Sequence, residues 1–371
     1  MKKRIAILLV LVMVLASFAA IATSCKKSTI IEGDYTYNDY MAGSPDTWNN
    51  HTWETSDDSY ILAYTDVGLY NFQLNSTKDG YDIVPEMAAA APVDVTNEYA
   101  GNDNFGVPAN ATAGYAWKIA LNKDAVWQNG VQINADTYIY SMQQQLSQQM
   151  LNRRADSWYA GDLIIANAKN YLYSGQEAYS SLADKGFDSV EAAYAAGYTT
   201  VYCDFVNFWG GTGPDGEQYL PIDSDLIVDD GAEPFPASEI YNDYLAPGAP
   251  YESYIGDYLF VKDSTPVTTW DQVGLLKTGE YEITLVLQKP ITQLFYVYYN
   301  LSGNWIVYEE LYEACKQQSG DLIVSTYGTS VETTMSYGPY ILSEFQADKQ
   351  FTLTRNETWY GYWDGQHAGQ Y

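Results

Sequence analysis

Asp223, Asp225, Asp229 and Asp230 crowd into one short acidic stretch, and oxygen donors gathered this way are the raw material of a calcium site. Calcium takes six to eight oxygen ligands, and the spacing here departs from the loop that supplies them in a helix–loop–helix hand, so a solvated acidic loop is the better reading. Histidine occurs only at His51 and His367, which all but excludes a His-centred metal site or a serine–histidine–aspartate triad. With 47 Asp and Glu in the chain, acidic pairs are too common for any one to be singled out as a glycosidase couple. Met142 and Met150 read as core filler rather than soft-metal ligands. Cys203 and Cys315 read as separate, buried, inert thiols, because one pair in so long a chain is not a disulfide framework. No nucleophile elbow, phosphate loop, dinucleotide fingerprint, zinc spacing or kinase set occurs. The residues therefore indicate no catalytic group, no metal and no cofactor.

Composition sets the outer limits. The chain has 371 residues, 47% of them hydrophobic, enough for one large or two medium domains. Its 18 basic residues and net charge of −29 argue against nucleic acid, which needs a basic footprint. The 36 Tyr and 10 Trp suit recognition surfaces for peptides or sugars, although most are expected in cores and on sheet faces.

The N-terminus carries an address. Lys2, Lys3 and Arg4 precede an apolar run from Ile5 to Ile21, too short for a comfortable membrane span, and Ala22, Thr23 and Ser24 lead to Cys25. This is the layout of a secretory signal peptide over 1–24. The Cys after small residues resembles a bacterial lipobox, which implies cleavage before Cys25, lipid on its thiol and a polar tether over 25–33.

The elements that would position any site follow from periodicity. A helix capped by Ser56, Asp57 or Asp58 is expected through Ile61, Leu62, Thr65 and Leu69. Asp79-Gly80 marks a hairpin turn. "YAWKIALN" alternates, placing Tyr115, Trp117, Ile119 and Leu121 on one face of a strand. Asn129-Gly130 is a turn, and Asn134 caps a helix with Ile139, Met142, Leu146 and Met150 on one face. The middle, from Tyr171 to about Pro266, is rich in Tyr, Gly and Asp, and "WGGTGPDGEQYLPIDSD" and "DDGAEPFPASE" read as loops. Hairpins follow near Thr278-Gly279 and after Gly338-Pro339. No internal repeat is found, which argues against an adhesin or surface structural protein.

Four of these pieces, in order, resemble the extracellular solute-binding proteins of oligopeptide and dipeptide ABC importers. They are "DGYDIVPEMAAA", "YAWKIALNKDAVWQNGVQINADTYIYS", "LLKTGEYEITLVLQKPITQLF" and "SYGPYILSEFQADKQFTLTRNETWYGYWDG". Together they span about 44–371. The resemblance implies an α/β, periplasmic-binding-protein-like fold of type II, cluster C. Here it is lobe one, a core of 34–70 and 290–371 with a large insertion subdomain over 71–289. In that family the Tyr-Trp exit crosses into a second lobe, so a C-terminally truncated chain with the second lobe missing is expected at Tyr371.

The resemblance also assigns the parts. The "DAVWQNG" signature becomes scaffold, with Trp127 packed under its turn. Glu54, Thr55 and Ser56, just before the first helix, become ligand-binding residues able to pair main chain with an extended peptide. Tyr159 becomes a ligand aromatic, its alternative being packing within the insertion. Trp359 and Tyr362 become hinge or cleft wall. The implied partners are a peptide ligand, ABC permease subunits and the membrane through the lipid on Cys25, the protein being a monomer on the outer face of the bacterial cytoplasmic membrane. The alternatives are another solute of the same family, such as an oligosaccharide, nickel or an opine, or a secreted acidic glycoside hydrolase.

Overall fold

The computed structural model describes residues 35–231 and 234–367, so Cys25, the signal region and most of the tether lie outside the described residues. Two compact units are present, Met1–Ala42 and Gly43–Tyr371. Of the first, residues 35–42 carry no helix or strand and expose Tyr35, Tyr37 and Tyr40. Among the described residues, no helix is long and apolar enough to cross a membrane.

The second unit is a mixed α/β body. It opens with helix α1, Ser56–Thr65. The expected helix through Leu69 stops four residues early. The Asp66 amide still bonds to the Leu62 carbonyl, at 3.1 Å, but the chain then turns extended. Gly68 explains the exit, because a Cβ there would lie 2.2 Å from the Ser302 carbonyl oxygen; the backbones touch where only glycine fits. Strands β1 (Tyr70–Leu74) and β2 (Tyr81–Pro85) form the expected hairpin, its turn tied by Asn75 and Asp79.

Strands β3 (Val93–Asp94) and β4 (Ala116–Ala120) come next, then helix α2 (Ala135–Gln145). Asn134 caps α2 as expected, accepting from the Asp136 and Thr137 amides. The buried face of α2 departs from the expectation. Met142 is fully buried, but Ile139 is half-buried, and Met150 lies beyond the helix in a different cluster beside Tyr312. Tyr138, Ser141 and Gln145 take the inward positions instead, each with a hydrogen-bonding or ring partner there.

The two stretches read as loops are mostly irregular, but the Tyr-rich middle around them also carries a sheet. Strands β5 (Glu177–Ser181), β6 (Val201–Asp204), β7 (Tyr219–Pro221) and β8 (Leu259–Ser264) form an antiparallel sheet in the order β5-β8-β6-β7. It has its own apolar cluster, including Leu182, Val201, Phe205, Leu220, Ile240 and Val261. Cys203 belongs to this cluster and burial pushes its thiol upward, while Cys315 is buried in another, so the two thiols are free and separate.

Strands β9 (Leu275–Gly279) and β10 (Glu282–Val286) return to the first sheet, giving the order β9-β10-β4-β3. Ile119 pairs with Ile283 and Trp117 with Leu285, and this register points both apolar rows into the main core. Helix α3 (Leu294–Asn300) and the hairpin of β11 (Tyr340–Gln346) and β12 (Gln350–Arg355) complete the frame. Trp127 is buried in the main core with its ring edge-on to Tyr337, 4.9 Å away, and beside Tyr308. The Trp-bearing turn is thus scaffold: the Gly130 amide bonds to the Trp127 carbonyl, and Gly130 supplies the positive φ the turn needs.

Candidate functional site

The segment before α1 is held by a carboxylate. Asp58 is buried and accepts the amides of Asp46, Thr47, Glu54 and Thr55, at 2.9 to 3.3 Å. Although burial opposes the charge, those four donors hold its carboxyl below the ordinary range. Thr55 answers as N-cap, accepting the Asp58 amide at 3.1 Å. The loop and the helix start are therefore one hydrogen-bonded unit.

Below it lies a polar network that a sequence pattern does not reveal. Asn50 donates to the Asp66 carboxylate at 2.6 Å and to the Ile306 carbonyl at 3.1 Å. His51 places Nε2 3.0 Å from the Trp305 carbonyl and Nδ1 3.0 Å from the Tyr312 hydroxyl. A carbonyl only accepts, so Nε2 carries the proton and Nδ1 accepts from Tyr312. Burial lowers His51 to about 4 and raises Asp66 to about 7. Both act as neutral-favouring groups that anchor 49–51 to the segment before α4 (Glu309–Ala314).

The turn Arg153–Trp158 packs across this segment. The Arg154 amide bonds to the His51 carbonyl at 3.1 Å and its Nε to the Trp53 carbonyl at 2.9 Å. Its guanidinium lies 3.4 Å over the Trp53 ring, and Arg153 Nε sits 3.7 Å from Glu54. Tyr159 caps the same turn. Its ring is half-buried, edge-on to Tyr173, and burial with the Tyr173 hydroxyl pushes its own hydroxyl up to about 12. Glu54–Ser56 and Tyr159 therefore occupy adjoining segments. Sequence reasoning missed Trp53 and Arg154, which do the joining, and expected Ser56, Asp57 or Asp58 as the helix cap, where Thr55 is the N-cap and Asp58 its capping-box partner. The usable signal was the adjacent arginine pair in a chain so poor in cations.

The amides of Glu54 and Thr55 face inward to Asp58, and the Thr55 carbonyl accepts from Ser59, so the expected main-chain pairing is not open at those groups. Trp359 and Tyr362 form a second group. Trp359 is buried, with ring centroids 4.9 Å from Tyr362 and 5.1 Å from His367. Tyr362 donates to the Pro339 carbonyl and carries the Arg355 guanidinium 3.9 Å over its ring. Trp359 is thus packed in the interior. Two shallow depressions, of about 370 and 440 Å³, flank Glu191 beside the second sheet, and no candidate residue lines either. Among the described residues, no group of three or more His, Cys, Asp or Glu could hold a metal ion.

No protein-family model matches the chain. No curated protein matches it either. Several solved structures are similar. The substrate-binding domain of an oligopeptide ABC transporter from Bacillus anthracis shares 13% identity at a TM-score of 0.47, covering 88% of this chain and 38% of that one. Listeria monocytogenes OppA bound to peptide shares 12% at 0.46, covering 87% and 38%. The Escherichia coli murein tripeptide binding protein MppA shares 13% at 0.42, covering 86% and 38%. The chain thus spans well under half the length of these structures.

Proposed function

We propose that the chain is part of a solute-binding component of an ABC importer. It captures oligopeptides or dipeptides outside the bacterial cytoplasmic membrane, delivers them to permease subunits and is held there by lipid on Cys25. In this reading 34–70 and 290–371 form the core of the ligand-binding lobe, and 71–289 is its insertion. The supporting observation is that the segment leading to Glu54–Ser56 and the turn capped by Tyr159, about a hundred residues apart, are fastened together by the Arg154–Trp53 stack. These are the segments the sequence resemblance assigns to ligand. Glu54 and Ser56 contribute through side chains and Tyr159 through its ring, while Thr55 and Asp58 keep the segment in place. Trp359 and Tyr362 act as hinge packing. Capture is a population shift toward a closed form that makes more ligand contacts.

Calorimetry on the protein tests this. Mixed short peptides are expected to bind with micromolar affinity. Tyr159→Ala is expected to weaken binding about tenfold, equivalent to about 1.4 kcal/mol. Saturable binding of oligosaccharide or nickel with none of peptide would overturn the proposal.

A further inference from the structure

Glu86 follows β2 and is buried, 2% exposed, in the main body. Its Oε1 lies 2.9 Å from His367 Nε2. His367 is equally buried, and its Nδ1 lies 2.7 Å from Asp364 Oδ2. The imidazole therefore stands between two carboxylates that come from segments far apart in sequence. A neutral imidazole has one N–H and can serve one carboxylate as donor; an imidazolium has two and serves both. Neither Glu86 carboxylate oxygen accepts a well-aligned hydrogen bond, and His367 Nε2 donates none that is well aligned, so the 2.9 Å contact is an ion-pair approach in which the imidazolium is the counter-charge of the buried carboxylate.

We propose that Glu86, His367 and Asp364 form a proton-operated latch that fastens the 356–367 segment onto the end of the β1–β2 hairpin. The fastening has a second, neutral point beside it, the Gln366 side chain donating to the Pro85 carbonyl at 2.7 Å. The groups that face the imidazole are Glu86 from the hairpin, and Asp364, Trp359 and Tyr360 from its own segment. Tyr360 reaches back to Met87, its hydroxyl 3.9 Å from the sulfur, and its burial together with Glu86 and Asp364 pushes that hydroxyl far up, so it stays protonated. None of these described groups is a cation.

Burial acts to lower the His367 pKa, but Glu86 and then Asp364 outweigh it and the net shift is upward. The sign follows. A histidine raised in the folded state stabilises it fully below the unfolded value, about 6.5, and that contribution is lost as pH rises through the raised value. The latch is closed in acid and released toward the alkaline side. This stands whether or not the chain binds peptides; if it does, the latch sets how firmly the segment bearing Trp359 and Tyr362 is held.

The test is a proton NMR titration of the whole chain with hydrogen exchange read by mass spectrometry. His51, held low by burial, identifies itself by its acidic titration. His367 is expected to titrate above 6.5, and protection of 356–367, corrected for intrinsic exchange, to fall about tenfold per unit across that titration. His367→Gln should remove this pH dependence, and Glu86→Gln should move the His367 titration downward. If His367→Gln fails to fold, the Glu86→Gln titration decides alone. A His367 that titrates at or below 6.5, or protection of 356–367 that is indifferent to pH, overturns the proposal.

Discussion

Replacing Trp127 by alanine is expected to cost the fold about 3–5 kcal/mol, the usual range for truncating a fully buried tryptophan. The indole is buried in the main core against Tyr308 and Tyr337, and its backbone holds both sides of its turn, bonding to Val131 and Gly130. A cavity of that size next to β4 would remove contacts from several elements at once, and the aromatic neighbours cannot collapse into it without leaving their own partners. Urea unfolding of wild type and variant, with equal slopes, measures the loss. A change below about 1 kcal/mol would place Trp127 at a ligand-facing surface instead.

Asp58→Ala is the second large effect. The substitution leaves the amides of Asp46, Thr47, Glu54 and Thr55 without their acceptor and removes half of the capping box that starts α1. Hydrogen bonds to a charged group are worth about 1.5–3 kcal/mol each and do not add fully, so a loss of about 3 kcal/mol is expected. The pH dependence carries a sign. A carboxyl held below its ordinary value contributes stability that is present above about 3.9 and is lost as pH falls through the lowered folded value. Acid titration of stability should therefore show a limb in wild type that Asp58→Ala lacks. An unchanged acid limb would mean that the carboxylate does not organise the loop.

These two residues also mark what a sequence can and cannot disclose. The β4 strand, the Asn129-Gly130 turn and the Asn134 cap were legible because each depends on near neighbours, through period-two alternation, a positive φ and a side chain reaching its own helix. The second sheet was not legible. Its strands are three to six residues long and set single apolar residues among Tyr, Asp and Gly, so no window accumulates a period. The early helix end at Thr65 follows from the contact of Gly68 with Ser302, a partner more than two hundred residues away. At the candidate site, Glu54–Ser56 and Tyr159 were named through resemblance, while the Arg154–Trp53 stack that unites them depends on tertiary contact alone. The polar run Asn49-Asn50-His51 carries no periodic signal that would mark it as buried. It is buried, with Asp66, Tyr312 and the carbonyls of Trp305 and Ile306 pairing the Asn50 amide and the His51 ring.

The central claim is that the joined segments 47–56 and 153–159 meet the ligand. Hydrogen–deuterium exchange of the protein, with and without saturating mixed peptides, tests it most directly. The account predicts slowed exchange in both segments together, with β5–β8 unchanged. Slowed exchange confined to the depressions around Glu191, or none anywhere at saturating peptide, would contradict it.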